Sequence, residues 1–419
     1  MDQATLKLIT LAIFFICYSL VISRRIKIAY VSIASVIVLL FIGALNFQQA
    51  FVAVNWDVLG IYWGFMMVSI IFAQSGIPTY LAKYILLKTK NEGEALFLIC
   101  ILTAFLSSFL ENVGVVLIMA PIAIEVARRA NSSLFIYLIS IAISSNMVTT
   151  VTMIADPPSL ILAGETGMNF LDFYWFKEKI GLGTISIFGV LGGLSTLYSL
   201  NFRKMKKEIE IKEEKIKINY GPALLFIGGI IALALNEFIG LRLGAIGLIM
   251  GIISLFLGRR IFKKMMVEFD WNSFFFILGS FIIIEAVERV GILSSFANLF
   301  IESGINNPVL TLAAVTWLSV AFSSFIDNVP FTMLMIPVCF HLANSINLES
   351  AFPLLYGMII GTGIGGNITP VGATANVFAT GILEKNGYKI KLREYLKISI
   401  PTTIVSVLIA HLLLQFFWL

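Results

Sequence analysis

The sequence predicts an all-α polytopic membrane protein made of two inverted-topology repeats. Three observations carry that prediction: the composition, a series of apolar segments long enough to span a bilayer, and an echo of the first half in the second. Of 419 residues, 59% are hydrophobic and 13% charged, and the mean hydropathy is +0.96. Soluble domains carry roughly 25% charged and about 45–50% apolar residues, so lipid must solvate most of this chain.

A spanning helix needs ~20 mostly apolar residues. In the first half such segments lie at 6–22, 27–45 and 57–75. A long run at 94–129 is broken at Glu111-Asn112, a second at 133–165 is broken at 146–158, and a last span covers 180–200. Leu6–Ile22 lacks a small-residue cleavage site and runs into Arg24-Arg25, so it reads as a first transmembrane helix rather than a signal peptide. Residues 201–219 (NFRKMKKEIEIKEEKIKIN) form the one strongly charged stretch, a cytoplasmic linker between halves. The order then repeats: 220–236, 242–258, 271–290, a broken run 308–344, a broken run 351–383, and 397–417. The predicted units are a first repeat, 1–200, and a second, 220–419. Each divides into scaffold helices (1–90 and 220–305) and a hairpin with a broken helix (91–200 and 306–419).

The echo holds at residue level. Trp56, Gly64, Gly76 and Ala82 recur as Trp271, Gly279, Gly291 and Ala297, 215 positions later. Ser107-Ser108-Phe109-Leu110-Glu111-Asn112-Val113 recurs as Ser323-Ser324-Phe325-Ile326-Asp327-Asn328-Val329, 216 later, and Pro121 as Pro337. Thr152 and Ser159 fall opposite Thr369 and Asn376, 217 later. A nearly constant offset over about 100 residues is the mark of a duplicated unit.

Lysine and arginine set the orientation, because cytoplasmic loops are enriched in them. If each broken run 94–129 and 308–344 enters and leaves on one face, all of the 29 basic residues except Lys7, Lys177, Lys179, Arg242 and Arg289 fall on one side. That side is the cytoplasm of a multi-pass cell (plasma) membrane protein, with both termini outside and the second repeat inverted. Inverted repeats are a signature of secondary transporters, whose sites lie near the midplane at the repeat interface. The two polar-tipped runs read as re-entrant hairpins, one from each face, although a pair of complete spans has the same parity.

Composition also excludes function classes. The basic residues sit in short loops, not on a soluble face, so no nucleic acid is expected as partner. Cys17, Cys100 and Cys339 are scattered in apolar runs, and His341 and His411 are the only histidines. That leaves no zinc site, disulfide framework or arsenic-binding trithiolate, no cofactor, and no constellation suited to a membrane enzyme.

Polar backbone at membrane depth is tolerated only where it is buried in protein or lines a cavity. Four places fit: the two tips, the stretch 144–158 (SSNMVTTVTMIADPP) and the stretch 361–376 (GTGIGGNITPVGATAN). The last two read as helices unwound at the centre. Asp156-Pro157 has the form of a helix restart, with Asp as N-cap and Pro at the first helical position. Glu111 and Asp327 are either caps of the second hairpin arms or ion-binding groups; an ionisable residue within the membrane favours the second role. Asp156 has Ala373 opposite it, so the halves differ there. Glu288-Arg289 reads as an interfacial pair, with Glu285 deeper. No Lys or Arg lies in any of the four breaks, which favours a cation, a neutral species, or an anion accompanied by Na⁺ or H⁺.

At these breaks the chain resembles the ion transporter superfamily, in the branch of the arsenite-efflux pump and the melanosomal P protein, with similarity also to NhaD-type antiporters and divalent anion/sodium symporters. The residues carrying the resemblance are SSFLENVGVVLIMAPI (107–122), TMIADPPS (152–159), SSFIDNVPFTMLMIPV (323–338) and GGNITPVGATANVFATGILEKNGYKIKLREYLK (365–397). The resemblance implies about 10 transmembrane helices plus two re-entrant hairpins, a scaffold that forms a homodimer, and an elevator-type moving part that carries the site. It implies substrate or ion binding by Glu111, Asn112, Asp327 and Asn328 at the tips. At the breaks it implies Asn146, Thr150, Thr152, Asp156, Asn367, Thr369, Thr374 and Asn376, with Na⁺ near Asn112, Asp156, Asn328 and Asn367. Ser159 departs from the branch, which usually has Asn after Asp-Pro-Pro. The expected function is secondary transport of a small inorganic ion or oxyacid, arsenite-like, coupled to H⁺ or Na⁺. Na⁺/H⁺ antiport and Na⁺-coupled anion or dicarboxylate symport are the alternatives.

Overall fold

The computed structural model describes residues 3–23, 25–209, 216–290 and 307–419. The echo residues Gly291 and Ala297, Arg24, the centre of the linker and the end of the second scaffold segment lie outside the described residues.

The first half contains α1 (Gln3–Ser23), α2 (Ile28–Phe41), α3 (Phe47–Ala53), α4 (Trp56–Ala73), α5 (Ile77–Leu86), α6 (Glu92–Ser107), α7 (Asn112–Arg129), α8 (Leu134–Asn146), α9 (Pro157–Thr166) and α10 (Leu182–Leu197). The second contains α11 (Tyr220–Ala234), α12 (Asn236–Ile239), α13 (Leu243–Leu257), α14 (Phe262–Glu268), α15 (Trp271–Arg289), α16 (Pro308–Ser323), α17 (Asn328–Ser345), α18 (Phe352–Gly365), α19 (Thr374–Lys385) and α20 (Leu392–Trp418). The described residues are thus mostly helical; a two-residue-strand hairpin, β1 (Trp175–Phe176) with β2 (Lys179–Ile180), is a small addition to the all-α expectation.

Among the described residues, four helices are long and apolar enough to cross a bilayer unaided: α4, α10 with its extension to Phe202, α15 and α20. The other apolar segments are helices of 10–17 residues. One expected span, 27–45, is shortened, because α2 ends at Phe41 ahead of α3; the span expected at 242–258 is met by α13, which then bends by 79° into the segment that contains α14. Asparagine caps start many of these helices. Asn46 makes a reciprocal capping box with Gln49, and Asn55 and Asn91 accept from Val58 N and Glu94 N. Two indoles fix the entry into α4 and α15 in the same manner. Trp56 Nε1 donates to Phe51 O at 3.1 Å, and Trp271 Nε1 to Met266 O at 2.9 Å.

The packing pairs also come in twos. α2 lies on α15 and α13 on α4; α6 on α8 and α16 on α18; α7 on α19 and α17 on α9. Each pair maps onto its fellow under the offset of 215–217 residues. α4 and α13 approach until their backbones touch: a Cβ on Gly64 would lie 1.8 Å from Gly247 O, and one on Gly60 2.6 Å from Gly244 O. Small residues permit such contact between helices in lipid, where dispersion rather than water drives association.

The linker is pinned at both described ends. Lys207 Nζ donates to Ala130 O and Asn131 O at 3.0 and 2.8 Å, and Glu92 N donates to Lys207 O at 2.9 Å, so the first end sits on the base of α6–α8. Asn219 N donates to Ser75 O at 2.9 Å beneath α4. At the far end of α15 the expected ion pair is corrected: Arg289 pairs with Glu285 at 2.5 Å, one helical turn away, because i,i+4 side chains face each other and adjacent ones do not.

Candidate functional site

Both tips are tight turns between helices. α6 ends at Ser107 and α7 starts at Asn112, with Glu111 as N-cap: its two carboxylate oxygens accept from Val113 N at 2.9 Å and Gly114 N at 2.7 Å. α16 ends at Ser323 and α17 starts at Asn328, where Asp327 accepts from Val329 N at 3.2 Å. The capping role of both acids is therefore realised, which does not prevent a second one. Each tip is held by the unwound segment of its own half. Thr152 Oγ1 donates to Ser108 O, and Thr369 Oγ1 donates to Ser324 O. Ser107 and Ser145 share a 2.7 Å hydrogen bond, while Ser323 donates to Asn328 Oδ1 and Thr362 O at 2.7 and 2.6 Å.

The two breaks run from 147 to 156 and from 366 to 373. Three buried amides join them. Asn146 Nδ2 donates to Asn367 Oδ1 at 3.1 Å and to Asn376 Oδ1 at 2.9 Å. Asn367 Nδ2 donates to Ile143 O, and Asn376 Nδ2 to Gly366 O and Thr369 O. The amides are thereby satisfied inside the protein by one another and by backbone carbonyls of the broken helices, as membrane depth requires.

Asp156 and Ala373 stand at the helix restarts, both in extended backbone conformation. Asp156 holds the N-cap position of α9, but its side chain accepts no capping bond, which corrects the reading of this residue as a cap. Pro158 supplies no N–H at the second helical position, so one of the two usual capping donors is missing, and no bond is made to the other. Asp156 Oδ2 is buried with no hydrogen-bond partner.

One cavity collects these features. Glu111, Asn112, Asn146, Asp156, Asp327, Asn328 and Thr374 line it, so both tips and both breaks contribute. Thr150, Thr152, Asn367, Thr369 and Asn376 do not reach it. Thr150 bonds Ser186 on α10 at 2.8 Å, and the other four form the staples and amide cluster behind the wall. Tyr62 on α4 and Asp270 and Ser273 at the start of α15 line the cavity as well, and sequence reasoning did not single them out. The one available signal was an acid directly ahead of a span, which is also what a helix cap looks like. Asp270 does cap α15, accepting from Ser273 N at 3.0 Å.

Four carboxylates thus line the cavity, and no Lys or Arg among the described residues does. The acids are spread around it: among the described residues no three Asp, Glu, His or Cys side chains converge as a metal-binding group. The cavity can attract a cation, or hydrogen-bond a hydroxylated neutral solute through carboxylate and amide oxygens.

The model of the citrate transporter family (CitMHS) matches residues 18–361. The chain belongs to the citrate transporter family. Its similarity to curated relatives extends over nearly the whole length. It is 23% identical over 428 residues to the 46 kDa membrane protein of Mycobacterium leprae, with 98% of each chain covered. It is 24% identical over 434 residues to an uncharacterized transporter of Synechocystis, covering 97% of this chain and 96% of that one. It is also 26% identical over 453 residues to the P protein of Mus musculus, which covers 86% of this chain and 54% of the P protein. The citrate transporter family sits within the ion transporter superfamily, so the resemblance seen at the breaks holds. Family and relatives make this chain a membrane transporter.

Proposed function

We propose that this protein is a secondary active transporter in which a coupling cation, H⁺ or Na⁺, binds at the cavity where the tips and breaks meet, with Asp156 as its principal ligand. The observation that carries the proposal is Asp156 Oδ2, a carboxylate oxygen buried without a partner beside a polar cavity. Asn328 bonds this carboxyl group, but no basic side chain among the described residues faces it in the cavity; a buried carboxylate without a counter-charge costs several kcal/mol in general, and occupancy by a cation relieves that cost. The solute is a small inorganic ion or neutral oxyacid, arsenite-like in chemistry, whose hydroxyls donate to Asn112, Asn328 and the tip carboxylates. A bare tricarboxylate such as citrate meets four carboxylates and no basic side chain there, and like-charge juxtaposition is costly; it fits only in company with cations. The matched packing pairs support two inverted repeats with the tips as re-entrant hairpins, and the composition of the cavity wall supports an elevator-type mechanism. Residues of α4 and of the start of α15, both in the expected scaffold, line the cavity together with residues of the tips and breaks.

A second reading, Na⁺/H⁺ antiport, is favoured by the same four carboxylates and the absence of a fixed positive charge in the cavity wall. A thermal-shift screen of the purified protein with Na⁺, Li⁺, arsenite, silicate and dicarboxylates, each at several pH values, tests both, since only species that bind the folded state stabilise it. Stabilisation by a cation together with one solute supports the first reading, and by Na⁺ or Li⁺ alone the second. Stabilisation by a dianion without any cation dependence would overturn both.

A further inference from the structure

The start of α4 is docked on α9. A Cβ placed on Gly164 would lie 2.2 Å from Val58 Cγ2 and 2.9 Å from Asn55 Nδ2, so glycine is required for the two helices to meet as they do. By the offsets of the sequence echo, Asn55, Val58 and Gly164 correspond to Asp270, Ser273 and Gly381. In the second half the contact is open. A Cβ on Gly381 would meet nothing within 4 Å, and α15 makes no packing on α19 comparable with that of α4 on α9. Asp270 and Ser273 instead line the cavity, as does Thr374 at the start of α19.

Local structure does not explain the difference. Asn55 and Asp270 cap their helices alike, accepting from Val58 N at 3.2 Å and Ser273 N at 3.0 Å. The side chains differ, Asp270 and Ser273 being more polar than Asn55 and Val58, and so does the position of the neighbouring helix. Glycine inside a helix is destabilising relative to alanine, and here nothing in the surroundings of Gly381 demands it. A state in which α19 closes on α15 would.

We propose that Asp270 and Ser273 form a gate that Gly381 closes in the alternate state, as Gly164 closes on Asn55 and Val58 here. The start of α15 follows the basic segment Arg259–Lys264, so by the charge bias this gate faces the cytoplasm, and its closure would shut the cavity on that side. The inference rests on the transporter reading, because only a protein that alternates has a second state to close. Small interface contacts of this kind suit a bistable seam, which switches between two packings rather than deforming continuously.

The test is a size series at Gly381, with Ala, Leu and Trp, reconstituted in proteoliposomes beside the parent and beside Gly228→Leu, a change at a second glycine where a Cβ meets nothing within 4 Å. Transport is expected to fall as the side chain at 381 grows, while Gly228→Leu keeps the parent's flux. Gly381→Trp, whose side chain fills open space in the present state, is expected to keep ion-dependent thermal stabilisation while losing at least tenfold in transport. The inference is overturned if the parent transports and Gly381→Trp transports normally, or if Gly228→Leu loses flux to the same extent as Gly381→Leu. Failure of the transporter reading shows separately, as absence of coupled flux in the parent protein itself.

Discussion

Replacing Asp156 by asparagine separates a binding carboxylate from a structural one. Were Asp156 a working N-cap of α9, substitution by alanine would cost about 1 kcal/mol. Its side chain makes no capping bond, and one oxygen is buried without a partner. Its remaining bond is to the Asn328 side chain, which an amide at 156 can keep, so Asp156→Asn should leave the ion-free protein within about 0.5 kcal/mol of the parent, while Asp156→Ala also gives up that bond, at about 1 kcal/mol. Removing a charge that shares the cavity with Glu111, Asp270 and Asp327 can even raise stability. The ion-bound state behaves oppositely. A coupling ion at 100 times its Kd stabilises the parent by about 2.7 kcal/mol, and that increment should vanish in both variants. Glu111→Gln is the contrasting case, because Glu111 accepts two backbone bonds and loses part of its cap together with its charge. Thermal unfolding in detergent, with and without Na⁺ and across pH, reads both effects at once. Refutation is an Asp156→Asn protein that keeps the full ion-dependent stabilisation, or one destabilised to the same extent with and without ion.

Three further predictions follow from packing and charge. Asn146→Leu removes the donor shared by Asn367 and Asn376 and leaves two buried amide oxygens short of a partner; at about 1–3 kcal/mol for each unsatisfied group, folded yield and unfolding temperature should both fall sharply. Gly64→Ala forces a methyl group into the backbone of α13 and should cost more than about 3 kcal/mol, the upper part of the overpacking range, measured as loss of monodisperse protein on size-exclusion chromatography, while Gly228→Ala, where a Cβ meets nothing within 4 Å, is tolerated. Asp270→Asn keeps the helix cap, as Asn55 does at the matching place, and removes one carboxylate from the cavity; the protein should fold normally, with the apparent affinity for the coupling cation on the cytoplasmic side weakened several-fold.

Much of the site was legible because lipid punishes polar backbone. A Ser-Ser-x-x-acid-Asn run or a Gly-Pro-Thr-rich stretch at membrane depth has to be a place where the chain turns or unwinds. The helix ends at Ser107, Asn112, Asn146, Pro157, Ser323, Asn328, Gly365 and Thr374 fall within the breaks read from the sequence. Periodicity could not distinguish residues that face the cavity from those one layer behind it. Thr152 and Thr369 have the same chemistry as a ligand but spend their hydroxyls on the tips, and Asn367 and Asn376 spend their amides on one another's segments. Asp270, Ser273 and Tyr62 were missed for the converse reason: nothing local marks them, and only the tertiary seam brings α4 and the start of α15 against the tips. Short helices such as α3 and α14 escaped a span-length reading because seven residues cannot register in it. Asp156 was recognised as the point where the halves differ, but its lack of a capping bond depends on side-chain geometry that the Asp-Pro-Pro sequence alone does not fix.

The central claim, that a cation bound at this cavity drives movement of a second species, is tested most directly by flux in proteoliposomes under an imposed H⁺ or Na⁺ gradient of either sign. Accumulation of the labelled solute should reverse when the gradient is reversed, saturate with solute concentration, and disappear with Asp156→Asn. Flux that is linear in solute and indifferent to the sign of both gradients would contradict it.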